Sequence, residues 1–323
     1  SRAGAAASTA PGAPAPIALG FLAPIAARPR LAALLGALCI AFSGIFYRFA
    51  DVEPSTATVW RCLYGLPFLA VVAWVEHCRY GGLPRRAVGL AIVAGFLFAG
   101  DLTSWHHAIE YVGAGLSTVL GNLSVLVVGF FAWLFLGERP SRSILLALPI
   151  VLVGVFLIAG LNDDQAYGSD PVRGVILGTA TAFFYGGYLL VIRRSGRDER
   201  RPGGPVAIST LATATVAGIV GVPLGELNMI PTWPEHGWLL LYGLTSQFLG
   251  YFLISVSLPR LPAVVTAIIL LAQPVATVIL ARVLLGENPS VEQLVGVALV
   301  VGGIGIATVP VGRLRDRARA ALE

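Results

Sequence analysis

Long apolar runs, separated by arginine, proline and acidic residues, make up most of this 323-residue sequence. A helix needs about 20 apolar residues to cross about 30 Å of hydrocarbon. Ten runs approach that length: 31–50, 55–76, 87–109, 113–135, 142–161, 172–192, 206–226, 237–257, 262–285 and 291–310. Because the bilayer interior holds no water to satisfy backbone groups, each run must be helical. The sequence therefore predicts an all-α membrane protein with ten transmembrane helices, which we number as spans 1 to 10.

The composition agrees with a membrane protein, since 56% of the residues are hydrophobic and 12% are charged, against about 25% charged in soluble domains. The connections between the runs are short and leave no room for a separate soluble domain. Cys39, Cys62 and Cys78 lack the spacing of a disulfide framework or a zinc site, and the sequence has no hydrolase nucleophile motif. We therefore expect no cofactor, no metal and no enzymatic activity.

Arginine placement predicts the orientation in the membrane, because cytoplasmic segments carry an excess of basic residues. All 22 basic residues are arginine. With a cytoplasmic N-terminus, most of them fall in cytoplasmic segments, whereas the outer connections hold Arg48, Arg173 and Arg282 together with most of the loop acids. Both termini are therefore predicted to be cytoplasmic. The basic loop "RRSGRDERRPGG" is interpreted as part of this topology signal and not as a nucleic-acid site.

An internal repeat is the strongest sign of organisation. The stretch "LFLGERPS" begins at Leu134 and "VLLGENPS" at Val283, and at this offset of 149 residues identities continue into the following helix. An offset of 142 aligns the opening helices, through pairs such as Gly36 and Gly178. Five duplicated spans are an odd number, so the second copy enters the membrane from the opposite side. Inverted repeats of this kind recur in secondary transporters, whose two halves rock about a central site.

These signals divide the chain into four parts. Residues 1–29 form a flexible N-terminal segment, residues 30–161 the first repeat, residues 162–310 the second repeat, and residues 311–323 a basic cytoplasmic tail. Small-residue stretches such as "GVALVVGGIGIA" can pack helices within one chain or between two chains. The sequence therefore does not decide between a monomer and a homodimer.

The paired "LFLGERPS" and "VLLGENPS", the run "AQPVATVILARVLLGE" at 272–287 and "WHHAIEYVGAG" before the first copy resemble the drug/metabolite transporter superfamily. Over residues 31–310 the chain is similar to ten-helix bacterial exporters built from two EamA domains, such as the YddG-type amino-acid exporters. The resemblance implies an inner-membrane exporter of amino acids, other small metabolites or drugs. It also implies a central cavity surrounded by spans 3, 4, 8 and 9, with spans 1 and 6. The mid-helix Pro274 of the second copy is replaced by Val125 in the first. The motif therefore does not predict that the two halves bend at equivalent points.

Two ionisable residues lie deep in the predicted spans, Arg61 in span 2 and Asp101 in span 3. Such groups usually face the bundle interior or a wet cavity, because inserting one into hydrocarbon costs at least ~2.5 kcal/mol. The simplest interpretation is a structural ion pair between Arg61 and Asp101. Alternatively, Arg61 receives a substrate carboxylate, or Asp101 binds a proton or a substrate amine.

Helix geometry divides the polar segment "GDLTSWHHAIEY" at 100–111. At ~100° per residue, Asp101 and Trp105 share a face, whereas His106 points ~140° away from Asp101 and His107 lies on another side. We expect Asp101 and Trp105 on the transport path, His106 at its margin, and His107 at the outer surface. Two other interpretations remain open. Trp105 can also be interpreted as an anchor at the membrane interface. His106 and His107 can both be interpreted as interfacial histidines that bond to a loop carbonyl or to water.

Further lining residues are predicted from the repeat and from uncharged polar groups. The helical strip of Phe98, Leu102 and Trp105 maps, at the 149-residue offset, onto Gln247, Tyr251 and Ile254. Polar groups near mid-span complete the predicted cavity: Ser43, Asn122, Tyr185, Tyr188, Gln247, Tyr251 and Gln273. Interhelical hydrogen bonds explain any single one equally well. As a set with few charges they suit a small zwitterion or amphiphile better than a phosphate, for which paired basic residues inside the spans are expected.

Glu138 and Glu287 occupy equivalent positions in the two copies, beside a glycine and ahead of Pro-Ser. Carboxylates placed in this way commonly accept hydrogen bonds from backbone N–H groups at a helix start. Each is therefore expected to cap the next helix or to close the turn before it.

The sequence as a whole predicts a secondary transporter that exports small metabolites, with amino acids as the favoured class, by alternating access. The alternative is a proton-coupled exporter of cationic drugs with Asp101 as the proton carrier. A membrane enzyme or a sensor is a remote alternative from another class. The expected partners are a small-molecule substrate and the lipid bilayer, with no nucleic acid.

Overall fold

The computed structural model describes residues 28–136, 142–161, 163–196, 201–257, 261 and 269–308. Within these ranges every regular element is a helix, so the predicted all-α class is confirmed. Residues 1–27 of the predicted N-terminal segment, the predicted tail and Glu138 lie outside the described residues.

Helical segments fall in each predicted run. Span 1 comprises Pro29–Ala41 and Ser43–Ala50, span 2 is Pro54–Tyr80, and spans 3 and 4 comprise Arg85–Gly121 and Ser124–Leu136. Span 5 is Arg142–Ile158, span 6 is Pro171–Ser195 and span 7 is Gly203–Leu224. Span 8 comprises Trp233–Tyr242, the π-helix Gly243–Gly250 and Tyr251–Ser257. The described part of span 9 comprises Ala272–Leu280 and the π-helix Ala281–Leu285, and span 10 is Val291–Thr308.

Six of the described helical stretches are long and apolar enough to cross a membrane, and three shorter apolar helices lie in spans 5, 9 and 10. The chain is therefore a multi-pass membrane protein. The count of ten spans and the inverted duplication stay predictions.

Local chemistry explains where several helices begin. Proline occupies the first turn of spans 1, 2 and 6, where its missing N–H would have no helical partner anyway. Asp170 caps span 6 by accepting a hydrogen bond from the N–H of Arg173 at 3.0 Å. Thr232 and Glu235 form a reciprocal capping box at the start of span 8.

One break in the helices occurs at an equivalent position in the two predicted copies. Gly113, with φ of +84°, separates spans 3 and 4 within Arg85–Gly121. Span 4 is then interrupted at Asn122 and Leu123, and span 9 at Leu271, which follows Asn122 by the same 149-residue offset. Both copies are therefore interrupted at one position, although only the second has the nearby proline. In the first copy, the side-chain amide of Asn122 donates to the carbonyl of Thr118 at 2.8 Å.

Contacts between span ends place the loops after spans 1, 3 and 7 on one face, which we call the predicted outer face. Tyr47, near the end of span 1, donates to Glu110, near the end of span 3, at 2.9 Å. His107 lies 2.9 Å from Glu226, just after span 7. These spans therefore end at the same side of the bundle.

Carboxylates of one predicted half cap helices of the other half. Glu76, near the end of span 2, accepts hydrogen bonds from the N–H groups of Gly203 and Gly204, at the start of span 7, both at 2.8 Å. Glu287, after span 9, accepts one from the N–H of Ala114, at the start of span 4, at 2.6 Å. The expectation that Glu287 binds backbone N–H groups is confirmed. The expectation that it caps the next helix is wrong, because span 4 and not span 10 presents the free N–H groups.

Spans 5 and 10 pack with their backbones in contact. A Cβ added at Gly154 would lie 2.8 Å from the carbonyl oxygen of Gly296, and one added at Gly296 would lie 2.6 Å from that of Gly154. Gly303 likewise faces Val151, at 2.5 Å from an added Cβ. These small residues of span 10 therefore pack helices within the chain.

Candidate functional site

The described residues line a partly open cavity of about 60 Å³ between the helices. Spans 1, 3, 4, 6, 8 and 9 contribute to its wall, as the resemblance implied, and span 2 contributes Arg61. The lining residues are Ile40, Ser43, Arg61, Asp101, Leu102, Trp105, Thr118, Gly121, Asn122, Thr181, Tyr185, Tyr251 and Gln273.

The cavity wall contains most of the lining residues that the sequence predicted. Seven predicted residues line the cavity: Ser43, Asp101, Trp105, Asn122, Tyr185, Tyr251 and Gln273. Three others lie behind the lining: His106, Tyr188 and Gln247. Tyr188 stacks on the lining residue Tyr185 with ring centroids 5.9 Å apart, so it supports the wall from behind. Of the two predicted strips, Leu102, Trp105 and Tyr251 reach the cavity.

Trp105 is a cavity residue and not a membrane anchor. It is 8% exposed and lines the cavity together with Asp101 and Leu102. A tryptophan in the interfacial belt would instead present its ring to the headgroup region. The face that Asp101 and Trp105 share by helix geometry is therefore the face that span 3 turns to the cavity.

Arg61 and Asp101 do not form the predicted ion pair. Both are buried, at 2% and 6% exposure, and both line the cavity. The salt bridges between described residues are His107 with Glu226 and Arg173 with Asp170. The carboxylate of Asp101 makes no hydrogen bond to another described side chain. The guanidinium of Arg61 instead makes hydrogen bonds to other residues.

Neutral groups hold the Arg61 guanidinium. Its Nε donates to Oε1 of Gln247 at 3.1 Å, and its Nη1 donates to the hydroxyl of Tyr242 at 2.6 Å. The ring of Tyr242 also lies under the guanidinium, with the Arg61 Cζ 4.4 Å from the ring centroid. Neither residue that is hydrogen-bonded to Arg61 therefore carries a compensating negative charge.

His106 extends the hydrogen-bond network that begins at Arg61, because it bonds to Tyr242. Its Nε2 lies 3.0 Å from the Tyr242 hydroxyl and its Nδ1 lies 2.9 Å from the hydroxyl of Thr58. The side chain is fully buried, so the interpretation of His106 as an interfacial histidine is wrong. The sequence did not identify Tyr242 or Thr58, for which a hydroxyl inside an apolar run was the available signal.

His107 lies at the predicted outer face, as its position in the helix suggested. Its Nδ1 lies 2.8 Å from the carbonyl of Thr103 and its Nε2 lies 2.9 Å from Glu226. The carbonyl belongs to its own helix, and the carboxylate belongs to the other predicted half. The observed partners of His107 are therefore a carbonyl of span 3 and a carboxylate just after span 7, and neither is the expected loop carbonyl.

Comparison with known proteins shows which family this architecture belongs to. A model described as the EamA-like transporter family matches residues 28–160 and again residues 172–309. An uncharacterized transporter of Bacillus subtilis, YwfM, is 24% identical over 78% of this chain and 85% of its own length. An uncharacterized transporter of Archaeoglobus fulgidus is 23% identical over 83% of this chain and 93% of its own.

One similar relative carries a functional name. The pseudopaline exporter CntI of Pseudomonas aeruginosa is 30% identical over 53% of this chain, and the alignment spans 58% of CntI. A solved crystal structure also has the same fold, with a TM-score of 0.63 and 19% identity over 89% of this chain and 99% of the other. At that identity the likeness shows the fold alone.

Proposed function

This chain belongs to the EamA-like transporter family, and we propose that it exports small zwitterionic metabolites, with amino acids as the favoured class. Transport proceeds by alternating access of the central cavity to the two sides of a bacterial inner membrane. Both termini are cytoplasmic in this proposal, so the predicted outer face is the exit side.

The observation that carries the proposal is the placement of a buried arginine and a buried aspartate at the cavity without direct contact between them. Arg61 and Asp101 both line it and are buried, and they form no ion pair with each other. Opposite charges that are buried without direct contact compensate each other only in part, so a ligand that contacts both adds to their stabilisation. A zwitterion supplies both partners at once, its carboxylate to Arg61 and its ammonium to Asp101.

The walls between these charges suit a partly apolar solute. Trp105 and Leu102 offer apolar surface, while Asn122 and Gln273 offer amide groups. A phosphate would leave Asp101 facing a like charge. The lining therefore favours an amino acid or a similar small metabolite over a phosphorylated one.

The size of the cavity supports a cycle with large changes in shape. About 60 Å³ holds a few water molecules, whereas pockets that enclose drug-sized ligands measure about 300–1,000 Å³. We interpret this conformation as contracted around the binding site. Substrate entry then requires the two halves to separate, and the double match of the family model, at 28–160 and 172–309, supports such a division.

The proposal is tested by efflux from liposomes loaded with the twenty common amino acids or with lipophilic cations. The parent protein is expected to release at least one amino acid faster than protein-free liposomes. Trp105→Ala should slow that release, because it removes the largest apolar part of the wall. The matched control is Trp74→Ala, which changes a tryptophan that is 67% exposed on the outside of span 2. Release of no amino acid, or equal release by both variants, would overturn the proposal.

A second candidate rests on Asp101 alone. A carboxylate in a buried cavity without a hydrogen-bonding side chain among the described residues is suited to carry a proton. The chain would then exchange protons for lipophilic cations, and Asp101 would serve both in turn.

A further inference from the structure

We propose that Gln247, Tyr242 and His106 are positioning residues that hold Arg61 at the cavity through neutral hydrogen-bond partners only, so that it selects substrates with a carboxylate. This inference rests on the proposed function and assigns a role to groups that do not line the cavity themselves.

Among the described residues, the hydrogen-bond partners of Arg61 are neutral acceptors. Nε and Nη1 are bonded to an amide oxygen and a phenol oxygen, at 3.1 and 2.6 Å. A carboxylate in either position would form an ion pair with Arg61 and compete with the substrate. The neutral acceptors orient the guanidinium without that competition.

The Gln247 side chain is itself fixed by a second bond. Its Nε2 donates to the hydroxyl oxygen of Thr210, in span 7, at 2.9 Å. An amide has a single acceptor oxygen, and with the NH₂ group turned to Thr210 that oxygen faces Arg61. Both ends of the amide are therefore satisfied in one orientation only.

The donors available in this hydrogen-bond network determine which atoms of His106 and Tyr242 carry hydrogens. The hydroxyl of Thr58 donates to the carbonyl of Pro54 at 3.0 Å, so it accepts from Nδ1–H of His106. Nε2 of His106 then carries no proton and accepts from the Tyr242 hydroxyl, whose oxygen lone pairs remain free for Arg61. His106 is thus neutral in this arrangement, and it turns the oxygen of Tyr242 toward the guanidinium.

The backbone brings these groups together. A Cβ added at Gly65 would lie 2.9 Å from the Cβ of Gln247, and one added at Gly243 would lie 2.8 Å from the carbonyl oxygen of Arg61. Spans 2 and 8 therefore approach closely at the level of Arg61. Gln247 lies within the π-helix Gly243–Gly250, and π-helical turns are frequent at functional sites.

The test replaces the amide by an isosteric carboxylate, Gln247→Glu, and measures selectivity. The probes are the amino acid that the parent exports fastest and its C-terminal amide, which has the same side chain and ammonium but no carboxylate. In Gln247→Glu the carboxylate pairs with Arg61, so KM for the amino acid should rise about tenfold or more. KM for the amide should stay the same or fall. The preference between the two probes is therefore expected to invert.

Matched variants separate positioning from general damage. Gln247→Met removes the acceptor without adding charge and should weaken amino-acid transport without inverting the preference. Tyr242→Phe removes the phenol oxygen and should raise KM for the amino acid more than KM for the amide. Thermal unfolding in detergent should show Gln247→Glu to be as stable as the parent. If Gln247→Glu fails to fold, the Tyr242→Phe comparison decides the question.

Two failures can be told apart. A parent that exports no amino acid overturns the proposed function. A parent that exports amino acids while Gln247→Glu and Tyr242→Phe keep its preference between the two probes overturns this inference alone.

Discussion

The carboxylate of Glu287 accepts a hydrogen bond of 2.6 Å from the backbone N–H of Ala114, 173 residues earlier in the chain. Its second oxygen accepts from the N–H of Gly115 at 3.1 Å. The first N–H groups of a helix have no partner within the helix, and their partial positive charge favours an anion. One side chain after span 9 thus satisfies two donors at the start of span 4.

Loss of this carboxylate should destabilise the protein. Glu287→Ala leaves two N–H groups without an acceptor in a buried position, which typically costs about 1–3 kcal/mol for each unsatisfied group. The expected result is a lower midpoint of thermal unfolding in detergent. Glu292→Ala, at an exposed position in the first turn of span 10, is the matched control and should unfold near the parent midpoint. Equal midpoints for the two variants would contradict this assignment.

The contribution of Glu287 should depend on pH. Burial raises the pKa of Glu287 above its ordinary value of 4.5, although the hydrogen bonds from Ala114 and Gly115 act in the opposite direction. Because the folded state holds the proton more tightly than the unfolded state, this contribution is largest below about pH 4.5 and falls as the pH rises through the raised pKa. Glu287→Gln cannot titrate, so its stability serves as the reference.

The measurement is the difference in unfolding midpoint between the parent and Glu287→Gln from pH 4 to pH 8. The parent should lose stability relative to the variant as the pH rises. A difference that stays constant, or that moves in the opposite direction, would show that the hydrogen bonds outweigh burial.

Gly113 should tolerate no side chain. Its φ of +84° and ψ of 167° lie in a region that glycine alone adopts readily, and an added Cβ would lie 2.8 Å from the carboxyl carbon of Glu287. Gly113→Ala should therefore cost about 1–3 kcal/mol in backbone strain, and displacement of Glu287 should add to that. The control is Gly302→Ala in span 10, where an added Cβ meets nothing within 4 Å. It should be neutral or stabilise by up to about 1 kcal/mol.

The double variant Gly113→Ala/Glu287→Ala isolates the contact. Strain at residue 113 persists in it, but the clash with the carboxylate is gone. Its cost should therefore be smaller than the sum of the two single costs, since contacting residues are not additive. Additive costs would show that Gly113 and Glu287 contribute to stability independently of each other.

Features that follow from local spacing could be predicted from the sequence. Residues four apart share a helix face, so Asp101 and Trp105 were assigned together, and both line the cavity. The same geometry separated His106 from that face. Apolar length and charge placement likewise identified the helical runs, because both act within a single span.

Features that depend on which helices are neighbours could not be predicted in this way. The partners of Arg61 lie 181 and 186 residues away, and no local pattern marks Tyr242 or Gln247 as belonging to it. A nearby carboxylate therefore looked like the natural partner. The helix that Glu287 caps was missed for the same reason, since the next helix in sequence was preferred to one from the other predicted half.

Asp101 decides between the two proposed modes of transport. Asparagine has the same shape but carries neither a charge nor a transferable proton. If the substrate is a zwitterion, Asp101→Asn loses the charge that pairs with the ammonium, and KM should rise about tenfold or more. Release should then be insensitive to an imposed pH gradient in both the parent and the variant.

If the substrate is a lipophilic cation exchanged for protons, the gradient should accelerate release by the parent, and the variant should lose that response. Asp164→Asn, in the exposed loop after span 5, is the control for replacing an acid and should behave as the parent. Cation release by Asp101→Asn that still follows the gradient would eliminate Asp101 as the proton carrier, because no proton could then be passing through that side chain.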